Sequence, residues 1–318
     1  MKSVVGKIVK KLMMMIPIII LVSIILFLLL KCLPGDAALM YGGELATDED
    51  IARARADMGL DRPLYEQYWK WFTGILRGDF GVSLMTKTPI ASMIAQRFPA
   101  TMELALLSMV IAVLIAIPLG IISAVYRGKI WDSIVSFISM LGVAMPSFWL
   151  GMLLIIFLSL VAKLLPASGY VPFLEDPLAS LRLMLMPAFS IGLSFAATTM
   201  RQTRNALLEV LDQDYIMTAK AKGLPGHVTI WKHALRNALI PVITVIAMQT
   251  GKLFGGAVIA ERLFVIPGLG SGIVDSIMYR DFPITMGYIM IVAVIVIFIN
   301  TFIDIVYGLI DPRVGREK

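Results

Sequence analysis

The sequence predicts an all-α integral membrane protein with about six transmembrane helices, a helical extracytoplasmic insert after the first, and a cytoplasmic helical elbow between the fourth and fifth. Three observations carry this prediction. The 318-residue chain is 58% hydrophobic and 16% charged, with a mean hydropathy of +0.86, too apolar for an ordinary soluble protein. Its apolar residues gather into runs of about 20 residues, the length that crosses a hydrocarbon core. Lysine and arginine are unevenly shared among the connections between those runs, as the positive-inside rule requires.

The first run, 12–30, follows Lys2, Lys7, Lys10 and Lys11. It exceeds a signal-peptide core and no small-x-small cleavage site follows it, so an uncleaved N-terminal segment and first span are expected over 1–30. Cys32 is preceded by Leu30 and Lys31, which do not fit a lipidation site, and as the single cysteine it excludes an internal disulfide or a cysteine-built metal site.

An insert is expected over 31–100. Thr47 and Asp50 have the spacing of a capping box, opening a helix with Ile51, Ala54 and Met58 that ends near Gly59. Pro63 suits the first turn of a second helix, crowded with Tyr65, Tyr68, Trp69, Trp71 and Phe72 and ending before Gly78. Such aromatic density fits a helix lying at the level of lipid headgroups.

The remainder, 101–310, holds the other five spans. The second covers 101–126 around Pro118. The third covers 134–161 and contains Pro146, Ser147, Phe148 and Trp149, where the proline removes a backbone donor and crowds the carbonyl of Gly142. That kink either lines a cavity or is purely structural. A fourth span, 184–200, carries Ser190, Gly192, Ser194, Thr198 and Thr199, small and hydroxyl side chains that favour close helix contact.

The elbow lies within 201–238. Asp212 and Asp214 begin a short helix and Lys220 and Lys222 end it, complementing its dipole. Gly223 takes the left-handed position after the last turn, Pro225 prevents continuation, and a new helix starts near His227. Thr218, Ala219 and Ala221 are small enough to let another surface approach the backbone. The two histidines, His227 and His233, are six residues apart and so do not share a helix face, which argues against a metal site. The fifth span is expected over 239–260, followed by IPGLGSG and an amphipathic piece to Pro283. The sixth runs over 285–310, and 311–318 is a polar tail.

The N-terminus, the second-to-third connection, the elbow and the tail together hold 15 lysines and arginines, and the short opposite loops hold 4. Both termini and the elbow are therefore expected in the cytoplasm. The net charge of +6 points to anionic lipid, because no basic patch is interleaved with stacking aromatics for nucleic acid.

Besides Glu103 at the edge of the second span, Lys252 in the fifth and Asp304 in the sixth are the charges inside the predicted spans. Lys252, followed by Gly255 and Gly256, either pairs with Asp304 or faces a substrate carboxylate in a watery passage. Asp304 can also simply reach the interface. No GxxxxGK[ST], HExxH or GxSxG stretch occurs, so neither P-loop ATP hydrolysis nor a recognisable catalytic constellation is expected in this chain.

The elbow, YIMTAKAKGLPGHVTIWKHALRNALIP, resembles the cytoplasmic EAA segment of ABC-importer permeases of the oligopeptide, dipeptide and nickel branch. GDFGVSL (78–84), PATMELA (99–105), MPSFWLG (145–151), LPASGY (165–170), GGAVIAE (255–261), PGLG (267–270), YRDFP (279–283) and DPRV (311–314) resemble that branch's signatures in order and spacing. Met217 stands where the motif's namesake glutamate would be, and Lys252 where a neutral residue is expected.

The resemblance implies a non-catalytic permease subunit in a bacterial cytoplasmic (inner) membrane, forming half of a path for peptides. Two cytoplasmic P-loop ATPase subunits would bind ATP and Mg, and this chain would hold no cofactor of its own. A second homologous permease would complete the pore, and an extracytoplasmic solute-binding protein would deliver cargo. Asp214, Tyr215, Thr218, Ala219, Ala221 and Gly223 would couple to the ATPase. Pro146, Ser147, Phe148, Trp149, Lys252, Gly255, Gly256 and Asp304 are the candidates for the translocation path. Nickel or a metal chelate is the alternative cargo. Both histidines lie in the elbow, against a free-ion path, whereas 21 methionines leave it open. A stand-alone secondary transporter is the alternative of another class, but it would carry inverted repeats and several intramembrane acids.

Overall fold

Prolines and glycines set where the helices of this chain break, as the computed structural model shows. It describes residues 2–32, 47–57 and 59–310. The insert segment 33–46, Met58 and the tail 311–318 with its DPRV signature lie outside the described residues, as does the side chain of Asp304.

The helices are α1 (Lys2–Lys31), α2 (Asp48–Asp57), α3 (Leu64–Leu76), α4 (Ile90–Val125), α5 (Ile130–Ala144), α6 (Ser147–Val161), α7 (Pro177–Leu211), α8 (Asp214–Ala221), α9 (Gly226–Leu263), α10 (Leu269–Met278) and α11 (Phe282–Ile310). Five stretches are long and apolar enough to cross a membrane: Val9–Lys31 of α1, all of α4, α7 and α9, and Phe282–Ile303 of α11. The pair α5 and α6, apolar enough together but bent by 105°, makes a sixth if the two are one broken span.

That bend corrects the expected third span, which is not a kinked rod but two helices. Met145 is extended at φ −84°, ψ 124° because a residue before proline is driven out of the helical region, and Pro146 at φ −61°, ψ 137° restarts the chain as the residue preceding α6. Other boundaries also move. The helix of the second span already begins at Ile90, ahead of the expected 101, and runs through Gln96, Arg97 and Pro99. The fourth begins at Pro177, not 184, because Asp176 accepts hydrogen bonds from the amides of Leu178 and Ala179, both at 3.0 Å, and Pro177 needs no amide partner. The helix of the fifth starts at Gly226, close to the restart expected near His227, and continues into 239–260.

The chain divides into two compact units. The first comprises Met1–Thr101 with Pro267–Phe298. Here the aromatics of α3 divide their roles. Tyr68 packs edge-on to Phe27 of α1, with ring centroids 5.6 Å apart, and shares a 2.9 Å hydrogen bond with Ser23, whereas Tyr65 and Trp69 stay exposed. The early turns of α4 are held by Ile90 and Ile94, buried with Leu269, Ile284 and Tyr288. Thr101 Oγ1 accepts from the Leu269 amide at 2.8 Å, so the PATMELA and PGLG signatures meet.

The second unit comprises Met102–Ile266 with Ile299–Lys318. At its centre α7 packs on α5, α6 and α9. Small residues permit this, as in other membrane bundles. A Cβ at Gly192 would lie 2.8 Å from the Ser108 carbonyl oxygen of α4, and one at Gly142 would lie 2.8 Å from Ala197 Cβ. Ser190, Gly192 and Thr199 are buried as the small-residue pattern predicts, but Thr198 is exposed.

Candidate functional site

The elbow helix α8 is only 8 residues long, too short to be stable alone, and its tertiary contacts hold it. Ile216 is fully buried in a cluster with Ile121, Ala124, Leu207, Leu235 and Ala238, drawn from α4, α7 and α9. Full burial of such a side chain contributes about 1.5–3 kcal/mol relative to exposure.

The helix end follows the pattern of its glycine. The Leu224 amide donates to Ala219 O at 3.3 Å and the Gly223 amide to Lys220 O at 3.0 Å, the paired bonds of a Schellman motif. Gly223 has φ +77°, and a Cβ there would meet nothing within 4 Å, so the demand for glycine is purely conformational. After Pro225 the chain re-enters helix at Gly226 and passes through a π-helical turn, Thr229–Ala234, into the rest of α9.

Of the six predicted coupling residues, Asp214, Tyr215, Thr218, Ala221 and Gly223 are exposed together on the outside of this turn. Ala219 is different. It is only 9% exposed and lies on the inward side with Ile216, spaced three residues away on the helix. Tyr215 is fastened from the side: its hydroxyl accepts from Asn237 Nδ2 at 2.8 Å.

Next to the elbow's anchoring helices lies an ion pair that sequence reasoning missed. Arg204 of α7 grips Asp132 of α5 with two bonds, Nε to Oδ1 at 2.8 Å and Nη2 to Oδ2 at 2.9 Å. Ser123 of α4 donates to Oδ1 at 2.5 Å, and the Gly128 amide in the α4–α5 turn donates to Oδ2 at 3.0 Å. Three helices are thereby locked through one carboxylate. Ser123 directly precedes Ala124 and Arg204 lies two residues before Ala206, and both alanines belong to the cluster around Ile216. The helices that hold α8 are thus braced against one another.

The predicted path residues are placed less decisively. Phe148 and Trp149 are exposed just beyond the 105° bend, Pro146 is exposed and Ser147 half-buried. Behind them Gly151 allows α6 to approach the end of α9, where its Cβ would lie 2.8 Å from Leu263 Cδ2. Lys252 and Gly255 are on the exposed face of α9, and Gly256 is half-buried beside Ile191. Among the described residues Lys252 makes no ion pair, and its expected partner side chain, Asp304, lies outside them.

Glu103 proves to be more than an edge residue. It accepts from the Phe173 amide at 3.2 Å, and burial together with this carboxylate pushes the Tyr170 phenol up to about 12. The LPASGY signature is thus folded against α4, and Gly169 adds a bond from its amide to Phe264 O at 3.0 Å.

Comparison with known proteins extends over nearly the whole chain. Residues 116–316 match the family described as binding-protein-dependent transport system inner membrane component, and residues 4–105 match its N-terminal counterpart. A putative peptide transport system permease protein of Brucella abortus (strain 2308) is 39% identical over 310 residues, covering 98% of this chain and 99% of its own. The dipeptide transport system permease protein DppB of Escherichia coli (strain K12) is 37% identical over 335 residues, covering 98% and 99%. Among solved structures, inward-facing MetNI methionine ABC transporter is similar at a TM-score of 0.58 and 17% identity, covering 69% of this chain and 96% of that one. That similarity concerns the fold.

Proposed function

Because the chain belongs to the family of binding-protein-dependent transport system inner membrane components, we propose that it is a membrane-embedded permease subunit of an ATP-driven peptide importer. The observation that carries the mechanism is the braced elbow. An exposed face of Asp214, Tyr215, Thr218 and Ala221 stands on a helix whose other face is sunk into three long helices through Ile216.

In this reading α8 sits in a groove of a cytoplasmic ATPase, one of two, and both termini lie on the same side of the membrane as α8. ATP and Mg bind to the ATPases, and this chain contributes no catalytic group. Closure of the ATPases displaces α8, and Ile216 and the Asp132–Arg204 brace pass the displacement to α4, α5, α7 and α9 as a unit. A second homologous permease completes the path, and an extracytoplasmic binding protein delivers the peptide. The bend at Pro146 with exposed Phe148 and Trp149, the outer face of α9 at Lys252, Gly255 and Gly256, and Asp304 of α11 are the surfaces of this chain assigned to that path.

The test is affinity purification of the tagged chain from its own host in mild detergent, comparing wild type with Gly223→Asp. Wild type is expected to bring a P-loop ATPase and a second permease, and the variant to lose the ATPase while keeping the permease. A wild-type chain that purifies alone and transports in liposomes on an ion gradient would overturn the reading.

A further inference from the structure

Within the second unit, α9 leaves one face uncovered. Met248, Lys252, Gly255 and Ile259 are exposed at successive spacings of four, three and four residues, which places them on one side of the helix. The other sides are occupied. Gln249 donates to Thr199 of α7 at 3.0 Å, and about half a turn from Lys252 residues Ile246, Thr250 and Phe254 line an apolar cavity with Met109 of α4 and Ile299 of α11. Lys252 is 11 residues from Leu263, the end of α9 remote from the elbow. At 1.5 Å per residue this is about 16 Å, half of a hydrocarbon core about 30 Å thick.

On α7 a second exposed stripe is polar: Thr198, Arg201, Asn205 and Glu209, at spacings of three, four and four. The two helices run antiparallel, α7 towards the elbow and α9 away from it. They meet where Gln249 bonds to Thr199 and where a Cβ on Gly256 would lie 3.7 Å from Ile191 Cγ2. Each exposed stripe stands roughly a quarter turn from that contact line, and in an antiparallel pair these two quarter turns open to the same side. The stripes are therefore two walls of one groove.

The charges along this groove are of one sign at its middle. Gln249 and Thr199 mark a common level. Lys252 stands three residues beyond it and Arg201 two residues short of it on the elbow side, which spaces the two cations roughly 8 Å apart along the axis. Neither makes an ion pair among the described residues. Glu209 is the one acid of the stripes, and it lies roughly 12 Å nearer the elbow than Arg201. A cation at mid-membrane depth is costly against lipid and belongs on a watery passage or against an anion. Gly255 keeps the space beside Lys252 open, since a Cβ there would meet nothing within 4 Å.

We propose that Lys252, with Arg201 on the elbow side of it, makes this groove selective for peptides of net negative charge, and that Lys252 is the specificity-determining residue. Every peptide brings a terminal carboxylate, but its terminal ammonium cancels that charge. An acidic side chain supplies the surplus that two cations attract, and a basic one is repelled. The inference rests on the import reading.

The experiment measures chain-dependent uptake in the host, comparing a strain that lacks the chain with the same strain carrying wild type, Lys252→Met, Lys252→Arg or Lys252→Glu. The probes are labelled di- and tripeptides of alanine, and the same peptides with one alanine replaced by glutamate or by lysine. Lys252→Met is expected to lower uptake of the glutamate peptide relative to the alanine peptide about five-fold or more. Lys252→Arg should keep the wild-type ratio, and Lys252→Glu should move the preference to the lysine peptide. An unchanged ratio in a transporting Lys252→Met variant would overturn the proposal and leave the import reading standing. So would equal loss of all peptides in Lys252→Met and Lys252→Arg, or restoration of Lys252→Met by Asp304→Asn, which would make the lysine an internal ion-pair partner. Uptake of every probe unaffected by loss of the chain would overturn the import reading, and this inference with it.

Discussion

Tyr215 and Asn237 are joined by a 2.8 Å hydrogen bond, amide nitrogen to phenol oxygen, across the turn that separates α8 from α9. The elbow's exposed face is thus tied to the same long helix whose Leu235 and Ala238 join Ile216 in the buried cluster. Tyr215→Phe removes the acceptor while leaving the ring. The expected loss of stability is about 0.5–1.5 kcal/mol. ATPase stimulation in the reconstituted complex should fall further than this small loss of stability predicts. Thermal unfolding and hydrolysis measured on the same preparation check both halves.

Ile216→Ala empties a fully buried position among helices that cannot all collapse into the space. A cost of about 2–5 kcal/mol is expected. Met217→Ala, one residue on and 55% exposed, is expected to change stability by no more than about 0.5 kcal/mol. Proteolysis at the elbow should distinguish them, with the Ile216 variant nicked much faster.

Arg204→Gln leaves a carboxylate with its main counter-charge gone. Breaking such a pair costs about 3–5 kcal/mol when it is buried, and the lower end is expected because the Arg204 side chain is 27% exposed. Adding Asp132→Asn to the same chain should recover a substantial part of that loss, because no unpaired charge remains. Unfolding of the two single variants and the double variant yields the coupling energy. A double variant as unstable as the sum of the singles would show that the two residues act independently.

The capping box at α2 predicts a pH dependence. The Thr47 hydroxyl and amide donate to Asp50 at 2.6 and 3.1 Å, and these bonds hold its carboxyl below the usual range. A folded value below the unfolded one means that the stabilisation of α2 is fully present above the ordinary carboxylate value, about 3.9. It is lost as pH falls through the lower folded value. Protection of the α2 amides, taken relative to their intrinsic exchange rate at each pH, should therefore fall below about pH 4, and Thr47→Ala should remove most of that dependence.

Punctuation was the most legible layer of this sequence. The capping pair Thr47 and Asp50, the stops at Gly59, Gly78 and Gly223, and the break at Pro146 are local signals, and each marks an end or bend in the structure. Helix starts were less readable. Arg97 and Pro99 interrupt the apolar pattern of α4, yet its first turns are secured by Leu269 and Ile284, which are far away in sequence. Asp176 and Pro177 form a readable helix start, but the weakly apolar turns after them read as loop. The Asp132–Arg204 pair was invisible for a similar reason: its partners are 72 residues apart, and each alone looks like an ordinary charge at the end of a span. The inward turn of Ala219 depends on which face α8 presents to three other helices, and eight residues hold too little periodicity to say so.

The four bonds around Asp132 also constrain how transport can be energised. A carboxylate offers about four lone-pair sites, and the Arg204 fork, Ser123 and Gly128 fill them all. To take up a proton or a sodium ion, this acid would first have to release one of its partners and unlock a helix. It therefore makes a poor relay for an ion gradient and serves instead as a permanent rivet.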